Sequence, residues 1–167
     1  MAGAPPPIDR ARALAVLRRL GISGPDVYLI DLIPLLEIVW ADGKAQESEL
    51  AIFEEFLHEH VDALNRSVGH RMLTLERARA FVCRFLRERP SPDLLRELRS
   101  LVTSVRMSSS DDVRNAALRS SLLAACVDIA ASAVADYPYA HGERFDAEEK
   151  RSFFEILESL GGERPKP

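Results

Sequence analysis

The stretch Val27–Ala41, VYLIDLIPLLEIVWA, decides the fold. It is the longest apolar run in the chain, and Asp31, Pro34 and Glu37 interrupt it. It is too short and too charged to span a bilayer, which takes about 20 apolar residues. A helix that is apolar on all sides is buried on all sides. The run therefore predicts the central helix of a bundle, capped by Asp26 and either bent or restarted at the proline.

Amphipathic helical patterns lie on both sides of this run, and no segment alternates at the period of two that marks a strand. Glycines, prolines and polar turns separate the patterns. The sequence predicts an all-α compact bundle of about seven helices, near residues 8–20, 26–41, 47–64, 70–88, 93–105, 112–134 and 147–160. The helical domain spans 8–162, between a disordered proline-rich N-terminus (1–7) and a flexible C-terminal tail (163–167).

Charge is segregated along the chain. The 167 residues carry a net charge of −4, which excludes a nucleic-acid binder that relies on bulk positive charge. Residues 1–25 and 66–119 are net basic, however, whereas 26–65 and 120–167 are net acidic. This pattern predicts either solvated helix faces that attract each other on folding, or a cation site and an arginine-rich docking face.

The two cysteines indicate a reducing environment. Cys83 and Cys126 lie in apolar runs without the spacing of a metal or redox motif, so we expect both to be buried and free. The N-terminal stretch has no signal-peptide pattern. These observations predict a cytoplasmic protein.

The chain contains an internal repeat. Its two copies place Glu37 opposite Asp128, as the one acid within each apolar run, and each copy continues into a glycine turn and an amphipathic helix. The aligned segments are 36–41 with 127–132 and 43–50 with 142–150, the second copy having an insertion. This pattern predicts two units packed about a rough two-fold axis.

The centre of the first copy, WADGKAQESEL at residues 40–50, resembles the tellurite-resistance TerB-like family, whose members have an Ala-Asp-Gly turn followed by a glutamate at this spacing. The resemblance extends over residues 10–162. It implies a seven-helix bundle with a pseudo-repeat, in a cytoplasmic bacterial protein with stress, metal or envelope functions. It also implies that acidic residues near the turns bind a divalent cation. The second copy departs from the pattern, with His141-Gly142 in place of Asp-Gly.

Five acids are candidate ligands for Ca²⁺, Mn²⁺ or Mg²⁺, because these cations prefer carboxylate oxygens. They are Glu37, Asp42, Glu49, Asp128 and Glu149. Gly43 and Glu49 match the second half of an EF-hand loop, but Ile38 and Trp40 stand where that loop needs ligands. The set is therefore not an EF-hand, and other parts of the bundle would have to supply oxygens.

Helix capping competes with this interpretation. Glu49 and Glu149 are each three residues into a helix, where a glutamate caps the helix start. Asp146 would be the N-cap of the second copy, whereas Gln46 is a poorer N-cap in the first. Capping does not account for Glu37 and Asp128, which lie at matched places within the two buried apolar helices and must therefore be paired, hydrogen-bonded, protonated or metal-bound.

The basic middle of the chain offers a second candidate site. Five arginines recur at helical spacing on the fourth and fifth helices, with Arg106 extending the row. They are Arg77, Arg84, Arg87, Arg96 and Arg99. The row predicts either a face that docks an acidic protein partner or anionic lipid headgroups, or a plain solubilising surface.

Nothing in the sequence favours an enzyme. It lacks the motifs of nucleotide-binding proteins, serine hydrolases and zinc proteases. His58 and His60 flank Glu59, and we expect both to be exposed rather than zinc ligands. The leading hypothesis is a non-enzymatic TerB-like adaptor in bacterial stress or envelope signalling, with a divalent cation at the Asp-Gly turn. The alternative is a metal-independent scaffold that docks an acidic protein or an anionic membrane surface through its arginines.

Overall fold

The computed structural model describes residues 9–41, 45–107, 111–135 and 147–160. Within them the chain forms seven α-helices and one 3₁₀ helix, without a strand, so the predicted all-α bundle is confirmed. The α-helices are α1 (Arg10–Arg19), α2 (Ile33–Val39), α3 (Glu47–Val68), α4 (Leu75–Leu86), α5 (Pro92–Arg106), α6 (Asp112–Ala135) and α7 (Ala147–Ser159). The predicted tails, the turn at 42–44 and the loop of the second copy lie outside the described residues, and the two-fold repeat stays a prediction.

The central apolar run forms two elements rather than one. A 3₁₀ helix covers Gly24–Leu32, and α2 begins only at Ile33. The run therefore restarts at the proline, which is one of the two predicted alternatives, but its first part is a 3₁₀ helix and not an α-helix that Asp26 caps. Pro34 lies in the first turn of α2, where its missing N–H has no intrahelical acceptor to lose. Every residue of α2 except Glu37 is buried, so its central position is confirmed.

The turn between α3 and α4 is fixed by one side chain. Asn65 Oδ1 accepts hydrogen bonds from the backbone N–H groups of Met72 and Leu73, both at 2.9 Å, and Asn65 Nδ2 donates to the Leu73 carbonyl at 2.8 Å. Thr74 then caps α4, whose first residue is Leu75. The predicted helix start at residue 70 is wrong because these bonds hold the preceding residues out of the helix.

Helix α6 is buried on one side only. Leu122, Cys126 and Ile129 are fully buried, whereas Ala124 and Asp128 are exposed. Its apolar sequence does not enclose it, because the small residues of that sequence also cover its solvent face. A sequence apolar all round is therefore fully buried in α2 but not in α6.

The two cysteines also differ in burial. Cys126 is buried, and burial raises the pKa of its thiol far above the usual range. Cys83 is exposed, contrary to expectation. It points away from the buried face of α4, which consists of Ala78, Phe81, Val82 and Phe85.

Helix α5 brings the elements of the candidate site together. It packs against α1, the 3₁₀ helix, α2 and α7, while α6 packs against α3 and α2. Each side chain of α5 that faces inward therefore meets the segment 24–39. Among the described residues, no helix has the length and apolar character needed to cross a bilayer.

Candidate functional site

Each of the two acids in the central apolar run pairs with an arginine of α5. Arg106 Nε donates to both carboxylate oxygens of Asp31, at 3.0 and 3.1 Å. Arg99 Nη1 donates to Glu37 Oε2 at 2.9 Å. The two arginines are seven residues apart, which places them two helical turns apart on one side of α5. The two ion pairs therefore line up along the contact between α5 and the segment 24–39.

The Glu37–Arg99 ion pair has a second carboxylate beside it. Arg99 is 6% exposed, and a second carboxylate, that of Glu155 on α7, lies 3.9 Å from its Nη1. Burial raises the pKa of Glu37 to about 7, and the neighbouring Arg99 guanidinium acts in the opposite direction. We call Glu37, Arg99 and Glu155 the closed cluster. It has the features of an internal structural ion pair that is sensitive to pH.

The Asp31–Arg106 ion pair has a histidine nearby, where the Glu37–Arg99 pair has Glu155. Asp31 is completely buried, and its Oδ2 lies 3.0 Å from Nε2 of the buried His60. The His60 ring stacks on Phe56, and the Arg106 guanidinium lies 4.6 Å from the centre of the Tyr28 ring. We call Asp31, His60 and Arg106 the open cluster. The contacts with Asp31 and Tyr28 hold the Arg106 guanidinium in place.

The free edge of Arg106 faces space. Among the described residues, neither terminal nitrogen of this guanidinium has a hydrogen-bond partner. The side chain is 14% exposed and lines two cavities, of about 610 and 270 Å³. Both cavities are also lined by Arg10, Tyr28 and Val105. We call the two adjoining cavities the arginine groove.

The groove is cationic and partly apolar. Four arginines line it, Arg10, Arg18, Arg106 and Arg114, and no Asp or Glu of the described ranges does. The three besides Arg106 are exposed and form no ion pair within those ranges. The apolar walls include Leu14, Ile22, Val27, Leu64, Val105 and Leu118. A groove of this kind suits an anion that carries apolar groups.

None of the five predicted docking arginines lines the groove. The interpretation of Arg99 as part of an exposed row is wrong, because its charge is matched inside the bundle by Glu37. Arg77 pairs with Asp26 at 2.7 Å and Arg96 with Asp93 at 3.1 Å, both at the surface.

The other two predicted docking arginines lie on α4. Arg84 lies over the rings of Phe81 and Phe85, and its Nη2 donates to the Leu20 carbonyl at 3.3 Å. Arg87 is exposed, and no described carboxylate pairs with it. It thus resembles the three exposed arginines of the groove, Arg10, Arg18 and Arg114, but lies outside the groove.

The three candidate metal ligands whose side chains the structure describes, Glu37, Glu49 and Asp128, do not form a metal-binding group. Glu37 pairs with Arg99, and Glu49 accepts the backbone N–H of Gln46 at 3.0 Å, as the capping interpretation predicts. Asp128 is exposed, so the expectation that it lies inside the bundle is wrong. Within the described ranges, no three His, Cys, Asp or Glu side chains are grouped to hold a metal ion.

The two remaining candidate ligands lie beyond this description. Asp42 and the side chain of Glu149 are outside the described residues. The cation site at the Asp-Gly turn therefore stays a prediction.

The expectation that both histidines of α3 are exposed is correct for His58 and wrong for His60. His58 is exposed, with Nε2 3.5 Å from Glu54, but His60 is buried. A signal for this burial exists, because His60 continues the apolar spacing of Phe53, Leu57 and Leu64 along α3. The groove arginines also had a signal in the basic character of residues 1–25 and 66–119. The basic character of these segments does not show which arginines lie on the same surface.

Comparison of the chain with protein-family models, with curated proteins and with solved structures gives no match. The TerB-like resemblance at residues 40–50 stays a prediction.

Proposed function

We propose that this chain is a non-enzymatic binding module that docks an acidic segment of a partner protein in the arginine groove, without a metal ion. The observation that carries the proposal is the charge of the groove. Four arginines and no carboxylate of the described residues line it, although the chain as a whole has a net charge of −4. Unpaired like charges repel, so this arrangement costs stability until an anionic ligand completes it.

The shape of the groove favours a segment of protein over a membrane surface. Arg106 is only 14% exposed and lines both cavities of the groove. A flat bilayer reaches protruding side chains, whereas a peptide can enter a cleft. The larger cavity, of about 610 Å³, has the size of known ligand sites.

The metal-independent version is preferred because two of the candidate ligands have other partners. Glu37 holds Arg99, and Glu49 caps α3. The larger cavity also supports binding rather than catalysis, since its Ser67 hydroxyl donates to the Leu64 carbonyl at 2.8 Å and not to His60. Docking of a partner agrees with the adaptor role, in bacterial stress or envelope signalling, that the TerB-like resemblance implies.

Fluorescence anisotropy with a labelled peptide of Glu, Leu and Ala tests the proposal. We expect the wild-type chain to bind the peptide, and the double variant Arg10→Glu/Arg114→Glu to bind it about tenfold more weakly or worse. Arg87→Glu is the matched control, because it reverses one exposed and unpaired charge outside the groove. It should leave the affinity within about twofold.

Two outcomes would contradict the proposal. The first is no binding by the wild type, and the second is an equal loss of affinity in Arg87→Glu. Addition of Ca²⁺, Mn²⁺ or Mg²⁺ should not change the affinity, and a requirement for any of them would replace the proposal with the cation-dependent version.

A further inference from the structure

We infer that Arg106 determines the specificity of the groove by binding one carboxylate of an acidic amphipathic segment whose apolar side chains enter the larger cavity. This inference rests on the proposed function and names the kind of partner segment that the groove selects. It starts from the difference between Arg106 and the other three arginines. Those three are exposed, whereas Arg106 is recessed and held in place.

The open cluster leaves Arg106 one way to bind a ligand. Its Nε is used by Asp31, and its flat face lies over Tyr28. The two terminal nitrogens remain, and they form a planar fork that matches the two oxygens of a carboxylate. Asp31 and His60 are thus positioning residues, because they fix the plane in which that fork lies.

Charge alone does not give access to this fork. Arg106 and the buried Asp31 neutralise each other, so the positive charge that attracts a ligand comes from the three exposed arginines. A ligand reaches Arg106 only by entering the cavities, whose walls include Leu64, Val105 and Leu118. Entry into such walls is favourable for apolar side chains and unfavourable for polar ones. The selected segment therefore carries apolar side chains next to its acids.

Two exposed apolar side chains adjoin, in the chain, residues that line the larger cavity. Among the described residues, two large hydrophobic side chains are exposed, Val68 and Val113. Each directly adjoins in the chain a residue that lines this cavity, Ser67 and Arg114 respectively. Exposed apolar side chains beside a polar cleft are typical of protein docking surfaces. An amphipathic segment would cover both the cleft and these neighbours.

Two labelled peptides of equal charge separate this inference from simple attraction. In the first, leucines follow helical spacing with glutamates beside them, and in the second, serines replace the leucines. We expect the wild-type chain to bind the leucine peptide at least about tenfold more tightly. Arg106→Gln should remove most of that preference and leave the affinity for the serine peptide nearly unchanged, because only the leucine peptide reaches Arg106.

Three further variants complete the experiment. Arg106→Lys should not restore the preference, because a single ammonium cannot replace the planar fork. Leu118→Ser changes the apolar wall without touching the open cluster, and it should also reduce the preference, which keeps the test valid if Arg106→Gln fails to fold. Arg114→Gln is the control, and it should weaken the binding of both peptides by the same factor.

Several results would overturn the inference. Equal affinity of the wild type for the two peptides, or an equal effect of Arg106→Gln on both, would do so and leave the proposed function standing. Failure to bind either peptide would contradict the proposed function itself. A dimer of the chain that dissociates in Arg106→Gln would assign the groove to a second copy. Binding of anionic phospholipid vesicles without peptide binding would assign it to a membrane.

Discussion

The two ion pairs along α5 differ in what lies beyond the arginine. In the closed cluster, Arg99 Nη1 lies 2.9 Å from the carboxylate of Glu37 on α2 and 3.9 Å from that of Glu155 on α7, beside a small cavity of about 120 Å³. In the open cluster, Arg106 meets one carboxylate, that of Asp31, and a cavity beyond it. The sequence pattern is nearly the same in both. The acid belongs to the apolar run, and the arginine belongs to α5, on which Arg99 and Arg106 lie two turns apart.

The difference shows that a buried acid and arginine pair can have either of two roles. Where a second carboxylate lies beside the arginine, as Glu155 does at Arg99, the arginine is a counter-charge and its loss should affect folding. Where the acid has another partner, as Asp31 has in His60, the arginine is not the only group that satisfies the acid. Its remaining hydrogen-bond donors are then available to a ligand. This contrast leads to four predictions about stability.

The largest effect should follow from the loss of Arg99. Arg99→Met leaves Glu37 without its counter-charge and should lower the free energy of unfolding by about 3 to 5 kcal/mol. Urea denaturation at pH 8, followed by helical circular dichroism, measures it. The matched control is Glu37→Leu/Arg99→Met, which replaces the pair by apolar groups and should stay within about 1 kcal/mol of the wild type. Equal instability of the single and double variants would show that Arg99 acts through packing rather than charge.

The free energy of unfolding should depend on pH through Glu37 of the closed cluster. The pKa of Glu37 is about 7 in the folded chain against an ordinary value of 4.5, so the folded state holds a proton that the unfolded state has released. This stabilisation is complete below about pH 4.5, decreases as the pH rises to about 7, and is absent above that. A shift of this size corresponds to about 3 kcal/mol.

Denaturation at several values between pH 5 and pH 8 checks this expectation. Glu37→Gln should remove most of the decrease, because it cannot release a proton. Asp128→Asn is the control, since the exposed Asp128 should contribute nothing to the slope. A slope that persists in Glu37→Gln would place its origin in other groups.

The sequence predicted the elements of this contrast but not their pairing. Helical periodicity is local, so the buried α2 and the seven-helix architecture could be inferred from residues close together in the chain. The ion pairs are not local, because Asp31 contacts residues 29 and 75 positions away and Glu37 contacts one 62 positions away. A buried acid requires a partner. The presence of that acid in the sequence does not show which of the nineteen arginines is its partner.

This limitation explains why Glu37 and Arg99 were assigned to two different candidate sites. Glu37 was a candidate metal ligand and Arg99 a candidate docking residue, yet each is the partner of the other. Arg10 and Arg114 are separated by most of the chain, and only the packing of α1 on α5 and of α6 on α3 brings them to one groove. Charge counts along the sequence identified basic segments, but a surface requires the three-dimensional arrangement.

A smaller loss of stability is expected at the open cluster. Arg106→Met removes the bonds to Asp31 but leaves the Asp31 carboxylate with His60, so the free energy of unfolding should fall by about 1 to 2 kcal/mol. Urea denaturation side by side with Arg99→Met gives the comparison directly. A loss as large as that of Arg99→Met would show that Arg106 is the essential counter-charge of Asp31, and the distinction between the two clusters would disappear.

The smallest effect should come from the exposed arginines of the groove. Arg10→Gln and Arg114→Gln remove charges that have no described partner, so each should change the free energy of unfolding by less than about 0.5 kcal/mol. Any change should be towards higher stability at low salt, because repulsion within the groove decreases, and added salt should reduce it by screening the same repulsion. Urea denaturation at two salt concentrations measures both. Destabilisation by more than about 1 kcal/mol would show that the fold itself needs these charges, so that stability rather than binding would explain their position.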